Sequence, residues 1–199
     1  MGGTMPEKNF RFLFLRLVLI FSTLLGSWLG MQAVHELGHV TGAWFSGGRV
    51  VRVVLHPLTI SRTDLAENPH PLAVAWAGPL FGAVAPLLLW GLAAVVRLPG
   101  TFVLRFFAGF CLIANGAYLG AGAVAGIGDA GDLLRHGAPP WCLWLFGGLA
   151  IPAGLWLWHG QGRQFGLGAE PGEIRPAVAG GVVMASALLA TLGWLLGRR

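Results

Sequence analysis

Five long stretches of this chain contain no aspartate, glutamate, lysine or arginine, and this feature restricts its fold more than any other. The stretches are residues 17–34, 71–96, 106–128, 138–158 and 176–197. Each reaches the roughly 18 to 20 residues that an α-helix needs to cross a hydrocarbon core about 30 Å thick. A chain of 199 residues has no room to bury five such segments in one water-soluble core. The sequence therefore predicts an integral membrane protein with about five transmembrane helices.

Composition and charge placement also favour a lipid environment. Hydrophobic residues make up 55% of the chain and charged residues only 11%, whereas soluble domains are about 25% charged. The net charge is +5, but the basic residues flank the apolar stretches and form no cluster with aromatic side chains of the kind that nucleic-acid binding needs. We therefore expect the basic residues to anchor the helix ends in a lipid bilayer, and we expect no nucleic-acid partner.

The remaining segments predict how the helices are connected. The first helix should run over about residues 12–45, and Gly47 and Gly48 should end it. Residues 50–60 are rich in β-branched side chains and predict a short strand pair, which a polar loop over residues 61–71 follows. The expected fold is all-α and polytopic, with a β-hairpin after the first helix, and the whole chain should form a single membrane domain without internal repeats.

The chemistry of the chain is concentrated in an HExxH pattern, His35-Glu36-Leu37-Gly38-His39, which follows the first apolar stretch. Residues four apart lie on one face of a helix, so His35 and His39 can bind one zinc ion while Glu36 reaches a water beside it. The pattern is poorly explained as polar residues that merely end a helix, because burying ionisable groups near membrane depth is costly and such groups are usually functional. We therefore predict a Zn²⁺ site with Glu36 as the general base.

A catalytic zinc ion needs a third protein ligand and leaves its fourth position to water. Asp129 and Asp132 are the best candidates, because the first and third spans run in the same direction and their C-terminal ends emerge on the same side. Either aspartate is also compatible with a turn or a helix cap. The other possible donors are the histidines outside the motif, His56, His70, His136 and His159. His56 and His70 stay open as ligands, although loop histidines are more often solvated.

Together these motifs resemble the site-2 protease type of intramembrane zinc metallopeptidase. The resemblance rests on the HExxH motif with Gly47-Gly48-Arg49-Val50 after it, on Ala77-Gly78-Pro79 in the second span, and on the later aspartates. It covers a core of about residues 12–137, whereas the extra spans in residues 138–199 match nothing specific. The family ends its third core helix with Leu-Asp-Gly, whose aspartate binds zinc, and Gly128-Asp129-Ala130-Gly131 is similar to a degenerate form of that motif.

The resemblance implies that Asp129 is the third zinc ligand, with Asp132 as its neighbour and the alternative ligand. It also implies that Asn115 lines the site, although the family's asparagine lies closer to the aspartate, within a proline-rich stretch that this chain lacks. Because glycines surround Asp129, we expect no continuous helix before about Asp132, which would cap a short helix.

The implied activity is hydrolysis of peptide bonds in or next to transmembrane segments of membrane proteins, by a multi-pass enzyme of a prokaryotic cell membrane. Glu36 would take a proton from the attacking water and return it to the leaving amine. The strand pair in residues 50–60 either receives the extended substrate by edge pairing or is a simple structural hairpin. The alternative functions are a non-catalytic metal-binding scaffold or sensor, which would have no use for Glu36, and a transporter, whose usual charged mid-span residues are missing.

Overall fold

The computed structural model describes residues 5–56 and 58–197. Its elements are, in chain order, α1 (Met5–Phe45), β1 (Arg49–Val54), β2 (Arg62–Glu67), α2 (Pro71–Val95), α3 (Thr101–Ala125), α4 (Gly128–Arg135), α5 (Pro140–Trp158) and α6 (Pro176–Gly197). A 3-10 turn, Gly162–Phe165, precedes α6. Within the described residues, α1, α2, α3, α5 and α6 are long and apolar enough to cross a membrane. The predicted fold class, a multi-pass helical membrane protein with a hairpin after its first helix, is therefore confirmed.

α1 is a single helix of 41 residues that begins at Met5, before the predicted start near residue 12. At 1.5 Å per residue it is roughly 60 Å long, about twice the thickness of a hydrocarbon core. The helix ends at Phe45, and Gly47 follows in the left-handed conformation (φ +76°) that glycine adopts without strain. The HExxH motif thus lies toward the C-terminal end of the first span, as the sequence predicts.

The hairpin extends beyond the segment in which the sequence predicts it. β1 begins at Arg49, one residue before that segment, and otherwise lies within it. β2 occupies residues 62–67, where the sequence predicts a polar loop, and that prediction is wrong. An ion pair between Arg52 and Asp64, 3.2 Å apart, links the two antiparallel strands. Leu58 and Ile60, whose apolar character suggested the second strand, are instead exposed between the strands. Backbone pairing and cross-strand charges thus outweigh the low β-propensity of the polar segment.

Glycine allows two of the spans to approach each other closely. α3 and α5 meet at two glycine pairs: an added Cβ at Gly147 would lie 2.8 Å from the carbonyl oxygen of Gly116, and one at Gly154 would lie 2.6 Å from that of Gly109. The two glycines on each helix, Gly109 and Gly116 on α3 and Gly147 and Gly154 on α5, are seven residues apart, so both contacts fall on one face. Small residues at such contacts are typical of helix packing in membranes, where van der Waals contact between helices is a main stabilising term.

The arrangement of the helices brings four elements together at one end of the bundle. α1 and α3 run in the same direction, so their C-terminal parts lie beside the N-terminal part of α2, which packs against both. α4 packs against α2 and α3 through its buried residues Ala130 and Leu133. These helices and β2 surround a cavity of about 1180 Å³.

Candidate metal centre

Three potential ligand atoms converge at the inner end of this cavity. His35 and His39 lie one turn apart on α1, with their Nε2 atoms 3.1 Å apart. Asp129, from α4, brings its Oδ2 to 2.8 Å from the Nε2 of His35 and 3.3 Å from that of His39. Ligand atoms bound about 2.0–2.1 Å from a tetrahedral zinc ion are about 3.3 Å apart. Only small shifts would therefore place one metal ion between the three atoms.

The second nitrogen of each imidazole is held by an oxygen atom. The Nδ1 of His35 lies 2.7 Å from the Oδ1 of Asn115, and the Nδ1 of His39 lies 2.8 Å from the carbonyl oxygen of Val74. Both oxygens only accept, so both Nδ1 atoms carry a hydrogen. In the neutral rings the lone pairs are then on the Nε2 atoms, which face the Asp129 carboxylate. Two lone pairs and an anion around one point require a cation there, either a metal ion or protons on the rings.

Asn115 is oriented by its own helix. Its Nδ2 donates to the carbonyl of Cys111, one turn earlier in α3, at 2.8 Å, and this bond directs Oδ1 toward His35. The side chain is 1% exposed, and α2 closes over it, because an added Cβ at Gly82 would lie 2.8 Å from the Nδ2 atom. The sequence predicts that Asn115 lines the site. In the structure it lines the cavity, and its Oδ1 accepts the hydrogen bond from the Nδ1 of His35.

Glycine on α2 makes room for His39. An added Cβ at Gly78 would overlap the imidazole of His39, and one at Gly38 would overlap the carbonyl oxygen of Ala77. Gly38 of α1 and Gly78 of α2 therefore allow the two helices to approach each other closely next to the His39 ring. Gly78, in the segment Ala77-Gly78-Pro79 that carries part of the family resemblance, is the residue against which His39 packs.

Glu36 lies in the same cavity and is 2% exposed. Its Oε2 accepts a hydrogen bond from the Oγ1 of Thr63, on β2, at 2.6 Å. The hairpin thus holds one oxygen of this carboxylate in the cavity that the three ligand residues also line. Sequence reasoning misses Thr63, because it lies in the segment predicted to be loop and no local pattern connects it with the HExxH motif.

α4 corrects one expectation about the two aspartates. The helix begins at Gly128 and contains both, so the prediction that Asp132 caps a helix with no continuous helix before it is wrong. Gly128 adopts a positive φ of +56°. Each glycine lowers the stability of a helix by about 1 kcal/mol relative to alanine, and burial of Ala130 and Leu133 outweighs this cost. The half-exposed Asp132 carboxylate pairs with Arg135 at the margin of the cavity and lies outside the group of ligand atoms.

The electrostatic surroundings of Asp129 keep it ionised. Burial alone would raise the pKa of this carboxyl, but His35 and His39, with their rings protonated, outweigh burial through hydrogen bonds and positive charge and hold the pKa well below its usual range. The Asp129 backbone N–H also donates to the Oη of Tyr118, on α3, at 3.3 Å. Asp129 therefore offers an anionic oxygen in a fixed position, as a metal ligand must.

The other candidate donors lie elsewhere in the fold. His56 packs beside Trp194 of α6, His70 immediately precedes α2, and His136 and His159 directly follow α4 and α5. Among the side chains described, those of residues 9–56 and 58–197, the histidine and carboxylate atoms that come within 4.8 Å of one another as a group of three belong to His35, His39 and Asp129. The structure thus places Asp129, and none of the alternatives, beside the HExxH histidines.

The cavity around this centre is larger than the roughly 300–1,000 Å³ of a typical small-molecule site. Its walls come from α1, α2, α3, α4 and β2, and it extends along α1 as far as Trp28.

No protein-family model matches the chain, and neither a curated protein nor a solved structure matches it. The function of the centre must therefore be inferred from its own geometry.

Proposed function

We propose that this protein is an intramembrane zinc metalloprotease of the site-2 protease type, which hydrolyses peptide bonds in or next to transmembrane segments of membrane proteins. The observation that carries the proposal is the convergence of His35, His39 and Asp129 on one point, with the buried carboxylate of Glu36 in the same cavity. Catalytic zinc sites have three protein ligands and an open position, whereas structural sites have four protein ligands.

The donor set supports zinc in preference to magnesium or calcium. Two neutral imidazoles and one carboxylate suit zinc, whereas magnesium and calcium prefer ligand sets made of oxygen. Asn115 and the carbonyl of Val74 hold both rings with Nε2 free, and outer partners of this kind accompany almost every metal-binding histidine.

The residues of the centre supply the proton transfers that peptide hydrolysis needs. Zinc, when bound, would polarise the substrate carbonyl and make a water molecule more acidic. Because Thr63 engages the Oε2 of Glu36, the Oε1 atom is the one that takes a proton from the attacking water. The water oxygen then bonds to the carbonyl carbon, the C–N bond breaks, and Glu36 returns the proton to the leaving nitrogen. The products are a carboxylate and an amine.

The position of the centre supports a membrane-protein substrate. α1 forms one of the five candidate spans, and Trp28, before the HExxH motif, and Leu37, within it, are exposed apolar side chains of a kind that suits contact with lipid. A helical peptide bond is shielded by its own hydrogen bonds, so the substrate must be extended where it is cut. β2 borders the cavity, and strand pairing with β2 would give an extended segment partners for its main chain.

Metal analysis combined with peptide cleavage tests the proposal. The wild-type protein, purified in lipid nanodiscs, should hold about one zinc ion per chain and should cleave fluorogenic peptides that contain a transmembrane segment, but not casein. Glu36→Gln should keep the zinc and lose cleavage, because an amide cannot act as a base. His35→Ala should lose both.

Glu67→Gln, on the exposed end of β2, is the matched control and should behave as wild type. Equal zinc in the wild type and His35→Ala would end the case for a metal centre. Wild-type cleavage by Glu36→Gln would contradict the mechanism, and zinc binding without cleavage of any membrane peptide would favour a metal-binding scaffold or sensor.

A further inference from the structure

Gln32 is a buried polar residue whose side chain has no hydrogen-bond partner in the part of the chain that the structure describes. It is 4% exposed, and among the described residues neither its Oε1 nor its Nε2 has a hydrogen-bond partner. It lies in a charge-free stretch of α1. Burying an amide without hydrogen bonds is unfavourable, and such groups are rare in native proteins unless they serve a function or a ligand.

The position of Gln32 connects it with the metal centre. Its side chain lines the same cavity as His35, Glu36 and Asp129. It precedes Glu36 by four residues on α1, so both side chains lie on one helix face. The separation is one helical turn, about 5.4 Å, toward the middle of the span. The amide therefore lies beside the path of any peptide that extends from Glu36 into the membrane.

Gln32 does not orient any residue of the metal centre by a hydrogen bond within the described structure. His35 and His39 already have Asn115 and the carbonyl of Val74 as partners for their Nδ1 atoms. Glu36 has Thr63, on β2, as a partner for its Oε2. The hydrogen-bonding capacity of Gln32 is therefore left for a molecule that enters the cavity.

The chemistry of a primary amide indicates what that molecule presents. A glutamine side chain has one acceptor oxygen and two donor hydrogens, which complement the N–H and C=O of a peptide main chain. A substrate segment that unwinds at membrane depth exposes those main-chain groups where no water is available to bond them. A partner inside the cavity lowers the cost of unwinding.

We propose that Gln32 binds the main chain of the unwound substrate next to the scissile bond. Its Oε1 accepts from a peptide N–H, and its Nε2 donates to a peptide C=O. This contact selects for an extended backbone and is independent of the substrate's side chains. The inference rests on the proposed protease function and adds to it a residue that recognises substrate.

The test replaces the amide without shortening the side chain. Gln32→Met is the main variant, and Gln32→Leu is a second one of similar volume. Gln161→Met is the matched control, because Gln161 is also buried with an unpartnered Oε1 but lies outside the cavity. The probes are acetohydroxamate, which chelates zinc and has no peptide chain, and two apolar tripeptide hydroxamates with the chelating group at opposite ends. Affinities are measured on zinc-loaded protein in nanodiscs.

Gln32→Met should bind at least one tripeptide hydroxamate about tenfold more weakly than wild type, as expected for losing two hydrogen bonds. Its affinity for acetohydroxamate and its zinc content should be unchanged, and Gln161→Met should match wild type. Its Tm should not fall, because the lost amide has no partner in the free protein.

Wild-type affinity of both Gln32 variants for both tripeptide probes would overturn the role of Gln32. A lower Tm with loss of zinc in both variants would show that Gln32 is structural and would overturn it as well. Failure of acetohydroxamate to bind the wild-type protein, by contrast, would remove the zinc centre and with it the proposed function.

Discussion

Replacing Asn115 tests whether the tautomer of His35 is set by a residue 80 positions away. Asn115→Leu keeps the volume of the side chain but removes the acceptor for the Nδ1–H of His35. The imidazole is then free to rotate or to carry its hydrogen on Nε2, the atom that faces Asp129. In either case the lone pair needed for zinc is no longer held in place.

The structure sets the size of the expected effect. Loss of an outer partner of a metal-binding histidine costs about 10- to 100-fold in metal affinity, which corresponds to about 1.4–2.7 kcal/mol. An independent consideration gives the same range, because His35 and Asn115 are both buried, and an unpaired buried donor costs about 1–3 kcal/mol. We therefore expect zinc binding to Asn115→Leu to be weaker by about 30-fold.

The assay is competition for zinc against a chelator of known affinity, with the protein in nanodiscs. Asn115→Asp restores an acceptor for His35 and should bind zinc more tightly than Asn115→Leu. Asn68→Leu is the control, because Asn68 lines the same cavity but is exposed. Zinc affinity equal to wild type in Asn115→Leu would refute the argument that α3 orients the ligand.

Three further predictions separate the roles of neighbouring residues. Asp129→Asn should lose most zinc affinity and activity, because a neutral amide is a poorer ligand, whereas Asp132→Asn should stay largely active; zinc analysis that gives the reverse result would show that the third ligand is wrongly assigned. Gly78→Ala should lower zinc content without altering a ligand, because the added methyl displaces His39, and unchanged zinc would contradict this packing. Thr63→Val should keep zinc but lower kcat about tenfold, while Thr63→Ser stays active; steady-state kinetics would show equal kcat values if the hydrogen bond to Glu36 has no role.

Those features of the fold that depend on local sequence could be predicted. Charge-free stretches of sufficient length predict the five spans, and Gly47 predicts the end of α1, because both signals lie within a few residues of their effect. The HExxH spacing likewise predicts that His35 and His39 share a face of α1, since a single helix turn relates them.

Several features that depend on tertiary contacts could not be predicted, although the meeting of Asp129 with the HExxH histidines was expected from the direction of the spans. β2 has a polar sequence and is a strand because β1 pairs with it. α4 contains glycines that disfavour a helix in isolation, and burial of Ala130 and Leu133 against α2 and α3 stabilises it. The contacts of Thr63 with Glu36 and of Asn115 with His35 span 27 and 80 residues, and no periodic pattern in the sequence records such pairs.

The polar groups of the cavity differ in whether they have hydrogen-bond partners, and this difference bears on both the proposed metal and the proposed substrate. Polar groups at membrane depth are tolerated when they satisfy one another, and Glu36 is satisfied in this way by Thr63. The donor atoms of His35, His39 and Asp129 converge on one point that a cation would neutralise, and the amide of Gln32 makes no hydrogen bond with the described residues. Gln32 and Glu36 lie about one helical turn apart on α1. The proposed metalloprotease would use the first feature to hold zinc and the second to bind the main chain of an unwound segment, whereas a metal-binding scaffold or sensor would use only the first.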